Sequence, residues 1–257
     1  MSIWELIALC VLFFATSVVG VVTGSNSLIT VPAMFMFGVD ARVAVATNMF
    51  GLTFMSVGGA LPFLGRGTID RERLPALVGL TLLGSAAGAL LVLLVSSRAM
   101  PVVVSAAMLA VAVFSVFTRN AREVEPREPS RALTLAGYGV TLALGVYGGF
   151  YSGGYVTILT AAFVALFRMT FVEAVATTKI VNVFSSLVAT LVFMWHGLVD
   201  YKLGMMLAAV MFVGAFVGAR VALRLDERWL RRVFLSTVVA LALKILLYDF
   251  LWKGLGR

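Results

Sequence analysis

Residues 44–47 read Ala-Val-Ala-Thr, and the same four residues return at 174–177. Gly67-Thr68-Ile69-Asp70 returns as Gly197-Leu198-Val199-Asp200 at the same spacing of 130 residues. In that register Phe54, Ser56, Gly84 and Gly88 fall opposite Phe184, Ser186, Gly214 and Gly218 without a gap. Isolated matches of Ala, Gly or Ser are common in apolar sequence. A four-residue identity and a Gly-x-x-Asp match in one frame point to an internal duplication. The chain is therefore read as two repeats, 1–118 and 133–257, joined by a linker over 119–132.

Composition sets the solvent. The 257 residues are 61% hydrophobic and 12% charged, with a mean hydropathy of +1.06. Soluble domains carry about 25% charged residues, so this chain has half the charge needed to cover a surface in water. A soluble enzyme, a disordered tail and a nucleic-acid-binding module are excluded as the main reading. Apolar runs long enough to cross a bilayer occupy Ile3–Thr23, Ala41–Leu64, Leu74–Val95, Met100–Thr118, Leu133–Tyr151, Thr170–Trp195, Leu203–Leu223 and Trp229–Trp252, each near the roughly 20 residues required. Leu28–Gly38 and Val156–Phe167 are too short to cross alone. The fold class expected is an all-α, multi-pass membrane protein with broken helices. Ile3–Thr23 has no basic residue before it, so it is read as a retained helix, not a signal peptide. Trp4, Trp195, Trp229 and Trp252 stand near segment ends, as an aromatic belt requires.

The net charge of +8 is topological. Arginines cluster in Arg66–Arg73, in the mixed-charge stretch RNAREVEPREPSR at 119–131 and in Arg220–Arg232. The positive-inside rule places all three in the cytoplasm. The turn at His196–Lys202 then lies outside, although its repeat partner at Arg66–Arg73 lies inside. The repeats are thus expected to be inverted, with five segments each. Eight segments in parallel halves is the alternative. Scattered arginines without interleaved aromatics make no nucleic-acid surface.

Each short apolar run follows a break, at Gly20–Ser27 and at Gly148–Tyr155. Irregular backbone at membrane depth is tolerated only inside protein or along a cavity. The helix starting after such a break offers unpaired N–H groups and a positive dipole end to an anion. Gly24, Ser25, Asn26 and Ser27 form the first candidate cluster; Ser152, Gly153, Gly154 and Tyr155 form the second. The competing reading makes the glycines packing contacts and the hydroxyls caps. Lys179 stands inside the run Thr170–Trp195, where a charge usually marks a pathway. Asn182 and Ser186 share its helix face. Met49 is its repeat counterpart and Asn48 precedes Met49, while Thr47 and Thr177 correspond. Snorkelling to an interface is the alternative for Lys179. Glu173, Asp70 and Asp200 read as helix-start residues.

No catalytic or metal site is expected. Cys10 and His196 are the single cysteine and histidine, too few for a metal cluster. His196 sits beside Gly197 at the end of an apolar run, a place for an interfacial residue and not for a catalytic base.

The stretch GSNSLITVPAMFMFGVDARVAVATN at 24–48, with AVATTKIVNVFSS at 174–186, GLVD and VGAFVGARVALRL, resembles the sulfite exporter TauE/SafE family over nearly the whole chain. The resemblance implies a secondary transporter of small anions, sulfite or organosulfonates, in the inner membrane. It implies site roles for Gly24–Ser27, Pro32, Thr47, Asn48, Thr177, Lys179 and Asn182. Relatives often carry consecutive glycines where this chain has Gly-Ser-Asn-Ser, and some carry Lys at the place of Met49. Expected partners are the anion and the lipid bilayer, with a homodimer allowed; no cofactor is expected. An anion channel or an accessory subunit without its own transport cycle is the alternative.

Overall fold

A computed structural model describes residues 3–24, 26–64, 69–118, 129–224 and 229. Ser25, the Gly67-Thr68 half of the first Gly-x-x-Asp motif, linker residues 119–128 and the run expected at Trp229–Trp252 beyond Trp229 lie outside the described residues. Those described form helices and no strand. In chain order they are α1 (Ile3–Thr23), α2 (Ser27–Met36), α3 (Ala41–Ala60), α4 (Leu74–Leu94), α5 (Met100–Thr118), α6 (Arg131–Phe150), α7 (Tyr155–Phe167), α8 (Phe171–Trp195) and α9 (Tyr201–Ala222). A short 3-10 turn, Leu61–Phe63, extends α3. Six of them, α1, α3, α4, α6, α8 and α9, are long and apolar enough to cross a membrane. The protein is an all-helical, multi-pass membrane protein. At 1.5 Å per residue α2 and α7 reach only about 15 and 20 Å, short of the hydrocarbon.

The helix starts follow from side chains the sequence supplies. Asp40 accepts from the amides of Arg42 and Val43 ahead of α3. Thr170 and Glu173 form a reciprocal capping box at the start of α8. Asp200 caps α9 through the Leu203 amide, and Asp70 accepts from the Arg73 amide and guanidinium. Breaks fall where the backbone turns left-handed: Gly24 at φ +69° and Gly154 at +77°, Gly38 at +77° and Arg168 at +59°. Each pair is separated by the spacing that relates the sequence motifs.

The halves interlace. α4 packs on α6 and α8; α9 packs on α1 and α3; α3 and α8 meet at the centre. Two hydrogen bonds fix the direction of the central pair. The Asp70 amide, beyond the end of α3, donates to Thr177 Oγ near the start of α8 at 3.2 Å. The Asp200 amide, beyond the end of α8, donates to Thr47 Oγ near the start of α3 at 3.0 Å. α3 and α8 therefore run antiparallel, and the two Asp turns sit at opposite ends of them. Trp4, Trp195 and Trp229 are exposed, as is His196, whose ring meets the Val192 carbonyl. Trp252 lies outside the described residues.

Small residues set the closest contacts, which suits helices that lack a hydrophobic drive to associate in lipid. A Cβ on Gly84 would stand 2.6 Å from the Leu142 carbonyl, and one on Gly214 2.9 Å from the Phe14 carbonyl. Gly88 faces the Val146 carbonyl and Gly218 the Val18 carbonyl more tightly still. Gly79, on the same helix as Gly88, meets nothing within 4 Å. Gly88→Ala is expected to destabilise the protein by about 1–3 kcal/mol through overpacking. Gly79→Ala should be neutral or mildly stabilising. Thermal unfolding of the detergent-solubilised variants checks this; equal shifts for both would refute the close α4–α6 contact.

Candidate functional site

The two breaks meet. Gly24 approaches α7 so closely that a Cβ would stand 2.7 Å from the Thr157 amide nitrogen. Thr157 Oγ donates to the Thr23 carbonyl at 2.5 Å, and Tyr151 OH donates to the Ser27 carbonyl at 3.0 Å. Ser27 Oγ and Ser152 Oγ share a hydrogen bond of 2.7 Å. Two backbone carbonyls of the first break are thus bonded by side chains from the second half, while Tyr147 of the second half donates to the Gly153 carbonyl of its own break. Neither Asn26 nor Gly154, the residues ahead of α2 and α7, offers a side chain to the first-turn amides.

At this junction lies a cavity of about 20 Å³, room for roughly one water. Its polar lining comes from Asn26, Ser27, Ser56, Ser152, Lys179 and Asn182. Gly20, Gly24, Leu52, Met55 and Val156 complete the wall. Two repeat-related pairs, Asn26 with Val156 and Leu52 with Asn182, line it together, so the cavity straddles the two halves. In each pair one member is polar and the other apolar, so the lining does not follow the symmetry of the repeat register.

Lys179 carries the charge. It is 3% exposed, which excludes snorkelling. Its aliphatic stem passes over Gly59 of α3, 3.8 Å from where a Cβ would be. Among the described residues Lys179 makes no ion pair or hydrogen bond, and no carboxylate lines the cavity. Removing an ammonium ion from water without a counter-charge costs several kcal/mol.

Hydroxyl bookkeeping shows what the wall can donate. Thr30 Oγ donates to Asn48 Oδ1 at 2.8 Å, and Asn48 Nδ2 donates to Ser27 Oγ at 2.9 Å. The Ser27–Ser152 pair has two hydroxyl protons and uses one between them. One O–H remains for the cavity. Asn182 Nδ2 donates to Ser56 Oγ at 2.5 Å, which leaves the Ser56 proton free as well. The wall therefore offers an ammonium and at least two hydroxyl donors.

The structure brings Gly24, Asn26, Ser27, Ser152, Lys179 and Asn182 of the sequence candidates to this cavity. Asn48 stands behind it, orienting Ser27. Ser186 donates its proton to the Asn182 carbonyl of its own helix and does not line the cavity; its repeat counterpart Ser56 does. Thr47 and Thr177 accept from the Asp200 and Asp70 amides and do not line the cavity. Gly153 packs on the Tyr151 ring and Gly154 on Val111. Tyr155 is fully buried, its ring against Gly148, outside the cavity. Ser25 lies outside the described residues. Sequence reasoning missed Gly20, Leu52, Met55, Ser56 and Val156. The repeat register held a signal for two of them, because Leu52 is the counterpart of Asn182 and Val156 that of Asn26.

Comparison with known proteins agrees with this architecture. The chain is 27% identical over 239 residues to a probable membrane transporter protein of Haemophilus influenzae, covering 93% of both chains. It is 28% identical over 244 residues to the probable membrane transporter protein ORF9 of a Sinorhizobium species, covering 93% of this chain and 92% of that one. It is 26% identical over 248 residues to the probable membrane transporter protein YfcA of Escherichia coli K12, covering 93% of this chain and 89% of that one. No solved structure matches it. The family model described as Sulfite exporter TauE/SafE matches residues 8–245, and the chain belongs to that family.

Proposed function

We propose that this protein is a secondary transporter of small anions in the cell's inner membrane, exporting sulfite or an organosulfonate by alternating access. The observation that carries the reading is the buried, unpaired Lys179 in a cavity with hydroxyl donors and no acid. The site lies between the two halves, where transporters built from repeats hold their substrates. Its place at the junction of the two broken helices suits a site that each half can open in turn. Among the described residues Lys179 is the sole ionisable one of the lining, so those residues supply no acid–base pair for catalysis.

Electrostatics favours export. A potential negative inside drives an anion outward by about 2.3 kcal/mol per charge per 100 mV, so efflux needs no coupling ion. The positions of Asp70 and Asp200 at opposite ends of the antiparallel α3 and α8 support inverted repeats. So do the paired left-handed breaks and the exchange of α4 and α9 between halves. Inversion provides two conformations related by swapping the roles of the halves, opening the cavity first to one side and then to the other.

Proteoliposomes loaded with labelled sulfite are expected to release it when they contain the protein. Lys179→Gln should lower the rate at sub-saturating sulfite by at least about a hundredfold, the effect of deleting one partner of a buried ion pair. Failure to move any sulfur oxyanion, or full activity in the variant, sinks the reading. Inversion has its own test. With Cys10 replaced by Ser, cysteines at Glu72 and His196 should label from opposite faces of the membrane with an impermeant maleimide. Same-side labelling contradicts it.

A further inference from the structure

The cavity wall contains acceptors as well as donors, and a bare oxyanion does not use them. Asn26 is 3% exposed, and neither its Nδ2 nor its Oδ1 has a partner. It precedes α2 yet makes no cap, and its Cβ stands 3.1 Å from the position of a Cβ on Gly20. The amide is thus pinned beside the cavity with both ends uncommitted. Rotating it exchanges the ends but removes neither the donor nor the acceptor. Asn182 commits its Nδ2 to Ser56, which leaves a second amide oxygen in the lining. The ammonium, the hydroxyls and the starts of α2 and α7 all serve the negative oxygens of a ligand. None of them explains two amide oxygens in a site for an anion, since an oxygen without a proton repels them.

We propose, building on the anion-transport reading above, that Asn26 is a specificity-determining residue selecting anions that carry a hydrogen-bond donor. The ligand class is a small oxyanion with one oxygen still protonated, or an anion bearing a hydroxyl group. Its negative oxygens face Lys179, Ser152 and Ser56. Its O–H donates to Asn26 Oδ1, while Asn26 Nδ2 donates back to a neighbouring oxygen. A fully deprotonated oxyanion leaves Asn26 Oδ1 buried and unpaired.

Bicarbonate and nitrate isolate this term. Both are planar, singly charged and similar in size, and only bicarbonate has an O–H. The purified protein in detergent is titrated with each sodium salt at equal ionic strength and mildly alkaline pH, where bicarbonate predominates. Binding is read from the ligand-dependent rise in unfolding temperature, with sulfite as a reference. Bicarbonate should bind the wild type roughly ten- to a hundredfold more tightly than nitrate, the usual effect of leaving a buried acceptor unsatisfied. In Asn26→Ala the ratio should fall to within about threefold. Bicarbonate binding no better than nitrate to the wild type overturns the proposal and needs no variant to do so. A preference that persists in Asn26→Ala also overturns it. If neither these anions nor sulfite stabilises the wild type, the anion reading itself fails. If sulfite binds and the pair does not discriminate, only the role of Asn26 fails.

Discussion

A helix interrupted inside a bilayer leaves amides and carbonyls that no water can reach, and each such group costs several kcal/mol if unmet. This protein has two interruptions and brings them together. Thr157 meets the Thr23 carbonyl, Tyr151 meets the Ser27 carbonyl, and Ser27 meets Ser152. The first break is completed by the second half, whereas the second meets its Gly153 carbonyl with its own Tyr147. The junction thus ties the two halves together, and the cavity lies where irregular backbone from two directions meets. Gly24 allows the approach, since a side chain there would strike Val156 and Thr157.

Much of the fold was legible because its causes are local. Apolar runs interrupted by Gly and bounded by Asp, Thr or Trp gave the helices to within a few residues, and Asp40, Thr170 and Asp200 cap as their types demand. The duplication at a spacing of 130 has backbone echoes at Gly24 with Gly154 and at Gly38 with Arg168. Arg168 shows the limit of residue type, because an arginine takes a left-handed turn where the first half has glycine. The site was legible only in part. Lys179, Asn182 and Asn26 stand out as polar residues in apolar sequence. Leu52, Met55 and Val156 do not, because an apolar residue in a membrane protein looks the same whether it meets lipid or ligand. Ser186 stands apart from the cavity because a hydroxyl on a helix has its own carbonyls within reach. Thr47 and Thr177 were drawn instead to amides of the opposite half, which no spacing within one repeat reveals.

The symmetry of the scaffold and the asymmetry of the site belong together. Halves related by the 130-residue register supply the crossing helices, but a cavity between them with a lysine from each half would hold two like charges at close range. Met49 at the counterpart of Lys179 avoids that. Leu52 opposite Asn182 extends the same division, whereas Val156 opposite Asn26 reverses it, so the neutral donors come from both halves and the charge from one. On the transport reading the single charge then draws a ligand away from the axis relating the halves, toward the lysine.

On the transport reading that displacement has a defined consequence. Inverted repeats with identical linings would present equivalent sites to the two faces of the membrane. With one lysine, the helix that carries it moves differently against its neighbours in each conformation, and the two affinities differ. A ligand shifts the balance between conformations only by its difference in affinity for them. The asymmetry can thus set the concentrations at which the carrier half-saturates on each side. It cannot set the final gradient of an uncoupled anion, which depends on the membrane potential alone. Directional export then comes from the potential, and the placement of Lys179 adjusts how readily the carrier loads from within and resets from without.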